Sequence, residues 1–185
     1  MWSRDSALRR LRSGLAMVIA GLSAACFQPL YGERSVTGGS AVRDALASID
    51  VAQIDAPKGT PLSRIAVETR NELAFDLTGG AGGAPPTHRL VIRLSPSRNT
   101  IILDPITLRT EFDSFGLDAH YTMVEIASGK TVVASSATTR VTYNVPGQQQ
   151  RFARARALRD AETRAAKLIA EQIRSRLASY FVAGT

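Results

Sequence analysis

The C-terminal segment constrains the fold most. Leu158, Ala161, Ala165, Leu168 or Ile169, Gln172 or Ile173, Leu177 and Phe181 recur every three or four residues, the spacing that puts side chains on one stripe of an α-helix. Glu162, Lys167, Glu171 and Arg174 fall on its other faces. The pattern predicts one long amphipathic helix from Asp160, about 24 residues and roughly 35 Å in length. Such a stripe has to be covered by another layer.

That layer is legible upstream. Leu46 to Ile54 reads as a strand with Ile49, Val51 and Ile54 turned inward, ended by Ala56, Pro57, Lys58 and Gly59. Thr60 is a good helix N-cap, and Pro61 follows at the first helical position, where a missing N–H costs nothing. Leu62, Ile65, Thr69, Leu73 and Leu77 then keep helical spacing, Ala66 and Ala74 widen the stripe, and Gly79 and Gly80 end it. The Gly-Gly-Ala-Gly-Gly-Ala-Pro-Pro run at 79–86 is a linker. Leu90, Ile92 and Leu94 alternate with Val91 and Arg93, and a further extended stretch covers Thr100 to Leu103. Leu117, Ala119, Tyr121 and Met123 alternate with Asp118, His120 and Thr122, the signature of a strand wet on one face. Ala127-Ser128-Gly129-Lys130 is a hairpin turn into Thr131 to Asn144, where Val133, Ala137, Thr139, Val141 and Tyr143 share a face. The expected fold is α+β, with about four mainly antiparallel strands and two helices packed on the sheet.

The other end of the chain bears on location. Arg4, Arg9, Arg10 and Arg12 precede an apolar run from Leu15 to Leu22, then the small residues Ser23, Ala24 and Ala25 before Cys26. Basic, apolar and small in that order is an export signal, and the run is far short of the roughly 20 residues of a helical membrane span. A cysteine directly after the small segment is what lipoprotein processing requires, because its thiol takes a diacylglyceryl group and its freed amine a further acyl chain. Two or more chains anchor stably where one does not. The usual lipobox has Leu where Ser23 stands; here Leu22 lies one place further back. Cys26 is the sole cysteine, so the chain cannot close an internal disulfide, and lipidation would block a thiol exposed to an oxidising compartment. The expected organisation is a removed signal peptide at 1–25, a lipid-anchored tether at 26–40 and a single α+β domain at 41–185. Residues 1–25 hold four Arg and one Asp, so their removal lowers the formal charge from +7 to +4. Nucleic acid is not an expected partner of an exported chain.

Catalytic signatures are missing from the sequence. His88 and His120 lie on different expected strands with no Cys or acidic cluster at metal-ligand spacing. Asp113, Ser114 and His120 supply the residue types of a nucleophilic triad without the Gly-x-Ser-x-Gly elbow that would expose the serine. Gly129-Lys130-Thr131 ends like a phosphate loop, but Val124 stands where the first Gly is required. No enzymatic role, metal or cofactor is expected.

Beginning at the lipidated residue, Cys26-Phe27-Gln28-Pro29-Leu30-Tyr31-Gly32 resembles the N-terminus of the LPS-assembly lipoprotein LptE family, which typically reads Cys-Gly-Phe-x-Leu or Cys-Gly-Trp-x-Leu. Here the Gly is missing and the aromatic moves up to Phe27. The remainder is similar in order and size: a strand, a helix opening Pro61-Leu62-Ser63-Arg64, a middle containing Ala119-His120-Tyr121, and a long helix ending Ile173-Arg174-Ser175-Arg176-Leu177. The resemblance implies a role at the outer membrane, facing the periplasm and held by N-terminal acyl chains. Family members sit in the lumen of the β-barrel LptD, plug it, help it assemble and contact lipopolysaccharide in transit. A different reading, an auxiliary lipoprotein of an ABC-type lipid or solute transport system, would share the anchor and a small α+β domain.

For lipopolysaccharide phosphates the candidate contacts are Arg151, Arg154 and Arg156, with Arg109 and the hairpin-tip Lys130 as further ones. Guanidinium forks suit phosphate oxygens. Cations at a helix N-terminus oppose the macrodipole, so helix stability does not explain Arg151, Arg154, Arg156 and Arg159. The other reading is that the helix begins at Asp160 and these arginines form a solvated loop. Mass spectrometry of the protein purified from membranes should find a chain that starts at Cys26 and is heavier by its acyl groups. Cleavage elsewhere would overturn the lipoprotein reading.

Overall fold

A computed structural model describes residues 42–80, 84–102, 110–144 and 151–183. The signal peptide, Cys26, the tether and Arg109 lie outside the described residues. The elements run α1 (Val42–Ala47), β1 (Ile49–Val51), α2 (Pro61–Thr78), β2 (His88–Ile102), β3 (Thr110–Glu125), β4 (Thr131–Asn144) and α3 (Arg151–Ala183). They form one mixed sheet in the order β1-β2-β3-β4, parallel between β1 and β2 and antiparallel elsewhere. The expected α+β arrangement is therefore present, with a third, short helix added.

Register explains which face is dry. Leu90, Met123 and Val133 share a row, as do Leu94, Ala119 and Ala137, and all six are buried. Val91, Thr122 and Ala134, one residue along, are exposed on the opposite face. The buried rows meet Ile169, Ile173 and Leu177 of α3 in one core. Of the alternatives in the helical stripe, Ile169 and Ile173 are the buried ones; Leu168 is 40% exposed and Gln172 is exposed, its amide donating to the Thr138 carbonyl of β4 (3.3 Å). Small residues fill the rest of the stripe: Ala161, Ala165, Ala166, Ala170 and Ala178 are all buried, letting α3 approach its neighbours closely.

Four expectations are corrected. Leu46 is helical, because Val42 and Leu46, four residues apart, bury one side of α1; the strand begins at Ile49 and ends at Val51, although Ile54 is buried as expected. β2 runs unbroken through Pro96. The Leu90 carbonyl accepts from Ala52 N (2.9 Å), so even-numbered β2 residues turn their backbone groups away from β3, and beyond β1 that side is an open edge where proline's missing N–H leaves no ladder bond unmade. α3 starts at Arg151, not near Asp160, and its 33 residues span about 50 Å. Finally, Glu162 is not on an outer face: it is 2% exposed.

Glu162 faces α2. Arg64 of α2 pairs with it and also with Glu68 (3.3 Å), Thr163 donates to Glu68 (3.2 Å), and Lys167 lies 3.7 Å from Glu72. Contacts at 64, 68 and 72 meet 162, 163 and 167, so the two helices run in the same direction. Thr60 accepts from Ser63 N and caps α2, and Gly79 ends it with φ 66°, a left-handed conformation that glycine adopts without a Cβ penalty.

Replacing Ile173 by Asp places a charge in the core and should cost several kcal/mol, much of the stability of a domain this size. Leu168→Asp should melt close to the parent, since the site is already wet. Equal losses in the two variants would overturn the assignment of the buried stripe. Arg64→Met should cost roughly 3 to 5 kcal/mol by stranding the buried Glu162 carboxylate, and Arg64→Met with Glu162→Met should recover most of it in a denaturant titration.

Candidate functional site

The two ends of the sheet differ. α1, β1 and the end of α2 gather at the start of β2, where α3 also finishes: the rings of His88 and Phe181 meet edge to face, 5.5 Å between centroids. The far end is made by β2 after Pro96, the start of β3, the end of β4 and the first turns of α3.

Here the inward row of the sheet turns polar. Thr100, Asp113 and Tyr143 are in register, facing α3. Asp113 is 1% exposed, and one carboxylate oxygen, Oδ2, takes the Tyr143 hydroxyl (3.2 Å) and the Arg154 guanidinium (3.4 Å). Its other oxygen, Oδ1, is buried with no hydrogen-bond partner among the described residues. Burial raises the Tyr143 pKa above its ordinary 10.0, the Asp113 charge raises it further, and the Arg98 cation pulls against both. Arg98 thus belongs to the same end of the molecule.

Above this row the first turns of α3 stand clear of the sheet. Residues 151–156 are all exposed, and Phe152 is 90% exposed. The candidates Arg151, Arg154 and Arg156 therefore lie on the first turns of a helix, not on a loop, Arg151 and Arg154 along one side and Arg156 beside Phe152 on another. Arg154 is partly engaged, holding the helix to Asp113. Lys130 is not brought to them: it follows the β3–β4 turn at the other end of β4, whose 14 residues put it about 45 Å away. Sequence reasoning missed Arg98, Asp113 and Phe152 as parts of this end. The Arg-Phe-Ala-Arg run could have flagged Phe152, but the partner of Asp113 lies 30 residues away and leaves no local signal.

Cationic forks beside an exposed aromatic can bind an anionic, partly apolar ligand. Among the described residues no group of His, Cys, Asp and Glu could hold a metal ion, and no helix is long and apolar enough to cross a membrane.

Because the folded state holds the Tyr143 phenol neutral, its contribution is complete below pH 10.0 and is lost as pH rises through the raised folded value. At pH 8, Tyr143→Phe should cost about 1 to 3 kcal/mol by removing a partner from a buried carboxylate. That gap should narrow in thermal melts taken above pH 10.0. A gap constant with pH would show that Tyr143 does not titrate in this way.

No protein-family model and no curated protein matches the sequence. Solved structures do match. The chain is similar to a candidate lipoprotein from Caulobacter crescentus, at 20% identity and TM-score 0.58, over 78% of this chain and 97% of that one. It is also similar to rare lipoprotein B from Shewanella oneidensis, at 18% identity and TM-score 0.50, over 74% of this chain and 96% of that one. At these identities the likeness is one of fold: the chain has the sheet and helix architecture found in these two structures.

Proposed function

We propose that the protein is an outer-membrane lipoprotein of the LptE type, anchored through Cys26, that occupies the lumen of the LptD β-barrel, plugs it and helps it assemble, and contacts lipopolysaccharide on its way to the cell surface. The observation that carries the lipid contact is the solvent-surrounded start of α3, where Arg151, Phe152 and Arg156 are exposed together. Guanidinium forks suit the phosphates of such a ligand, and an aromatic side chain suits the border between its polar and apolar parts. Supporting the lipoprotein part are the order of the first 26 residues and a fold shared with rare lipoprotein B. A sheet covered on one face by helices is also an object of the size a wide barrel lumen holds.

Crosslinking in intact cells followed by purification should bring down a large β-barrel. Recovery of an inner-membrane transporter or its periplasmic components would instead favour the ABC-system auxiliary role. For the lipid contact, the variant carrying Arg151→Gln and Arg156→Gln spares the Arg154–Asp113 pair. It should bind lipopolysaccharide several-fold more weakly, most clearly at low salt, with unchanged thermal stability. Unchanged binding would reject the start of α3 as a lipid site.

A further inference from the structure

The face of the sheet opposite α3 has its own pattern. Its charged groups are matched to partners with one exception. Arg89 pairs with Asp50 (3.2 Å), Asp118 accepts from Thr138 (2.8 Å), and Arg140 donates to Ser97 (3.3 Å). Arg140 spans the whole of β3 to do so, over Gly116, where an added Cβ would lie 2.1 Å from the guanidinium and 2.3 Å from the Ser97 hydroxyl. Arg93 alone is left with neither ion pair nor hydrogen bond among the described residues, and its register neighbour His120 is left the same way.

Arg93, His120 and Ser136 form one cross-strand row, contributed by three adjacent strands. The next row, Val91, Thr122 and Ala134, is small or apolar apart from one hydroxyl. With Tyr121 and Ser135, these six residues line a depression of about 540 Å³. Neighbouring strands are about 4.8 Å apart, so the row presents donors from three adjacent strands side by side on one face, within the reach of a long arginine side chain, and no carboxylate lies in the lining to neutralise Arg93.

We propose that this depression is a binding site for a phosphoryl group, held by the Arg93 guanidinium fork, the His120 ring and the Ser136 hydroxyl, with Thr122 at its margin. A tetrahedral oxyanion presents three oxygens to donors from three strands, whereas a planar carboxylate presents two. The fork geometry of arginine suits two of those oxygens at once. The site lies on the face away from α3 and its arginines, so it stands or falls independently of the barrel and lipopolysaccharide reading.

The test is a titration of the full chain, in nonionic detergent, with inorganic phosphate at ionic strength held constant by chloride, followed by NMR at the Arg93 and His120 side chains. Saturable shifts are expected. Arg93→Gln should weaken binding about tenfold or more and Ser136→Ala by a few-fold, on the scale of charged and neutral hydrogen bonds, while Arg156→Gln leaves it unchanged. Sedimentation with phosphatidylglycerol vesicles, in an Arg151→Gln and Arg156→Gln background, identifies the source of the phosphoryl group. Capture that depends on Arg93 marks a lipid headgroup, and phosphate saturation without capture marks a soluble ligand; both support the site. Shifts that do not saturate, or an Arg93→Gln protein that titrates like the parent, would overturn it, with unchanged melting temperatures showing that the variants are folded.

Discussion

Everything in this fold depends on covering one face of a long sheet. β2, β3 and β4 have 15, 16 and 14 residues, and their inward rows are apolar over most of that length. A helix of matching length is needed, and the 33 residues of α3 supply it. The contact stays close because alanines, not large side chains, occupy much of the stripe; Ala161, Ala165 and Ala170 are fully buried. Leu90, Leu117 and Met123 of the sheet and Ile169, Ile173 and Leu177 of the helix then provide the bulk that drives the layers together.

A stripe of small residues leaves the placement of a second helix weakly determined, and polar contacts settle it. Glu162 is buried at the junction of α2 and α3 and satisfied by Arg64, which remains partly exposed, 34% of its side chain accessible. A charge so placed adds little net stability, but any sliding of α2 along α3 would strand it. Glu68 to Thr163 and Glu72 to Lys167 continue the same alignment along the two helices. Specific alignment of the helices is thus an electrostatic matter, while their attraction to the sheet is hydrophobic.

Legibility followed the periodicity of single elements. The inward sets of β2, β3 and β4, the cap at Thr60 and the stop at Gly79 all come from local spacing, and each is where the pattern placed it. Where a residue's role depended on a distant partner, spacing misled. Glu162 looked like a solvent-side residue because its partner is 98 residues away. The extension of β3 back to Thr110 was hidden because Asp113 breaks the apolar alternation, and only Tyr143 and Arg154 make its burial tolerable. Leu90 to Leu94 and Thr100 to Leu103 read as separate stretches because nothing local reveals that β2 is an edge where Pro96 stands. At the candidate site, the nearness of Arg151, Arg154 and Arg156 along the chain was readable, but the separation of Lys130 from them required the pairing of β3 with β4.

The two ends of the sheet differ in their kind of cohesion. Near β1 the core has α1, α2 and α3 stacked over it, and the Val42, Leu46, Leu73 and Leu77 side chains are buried. At the far end a single helix covers the sheet, first over the buried Phe115 and Val141 and then over the Asp113, Tyr143 and Arg154 group. The described domain begins at Val42 beside the near end, since Arg43 approaches Gly79 at the end of α2 (3.8 Å from its Cβ position). The chain therefore enters at the well-packed end and carries its exposed arginines and Phe152 at the opposite one, about a helix length of 50 Å away. A domain arranged this way has its largest apolar packing at its entry and a polar, partly exposed tie at the far end, where local opening would disturb the core least.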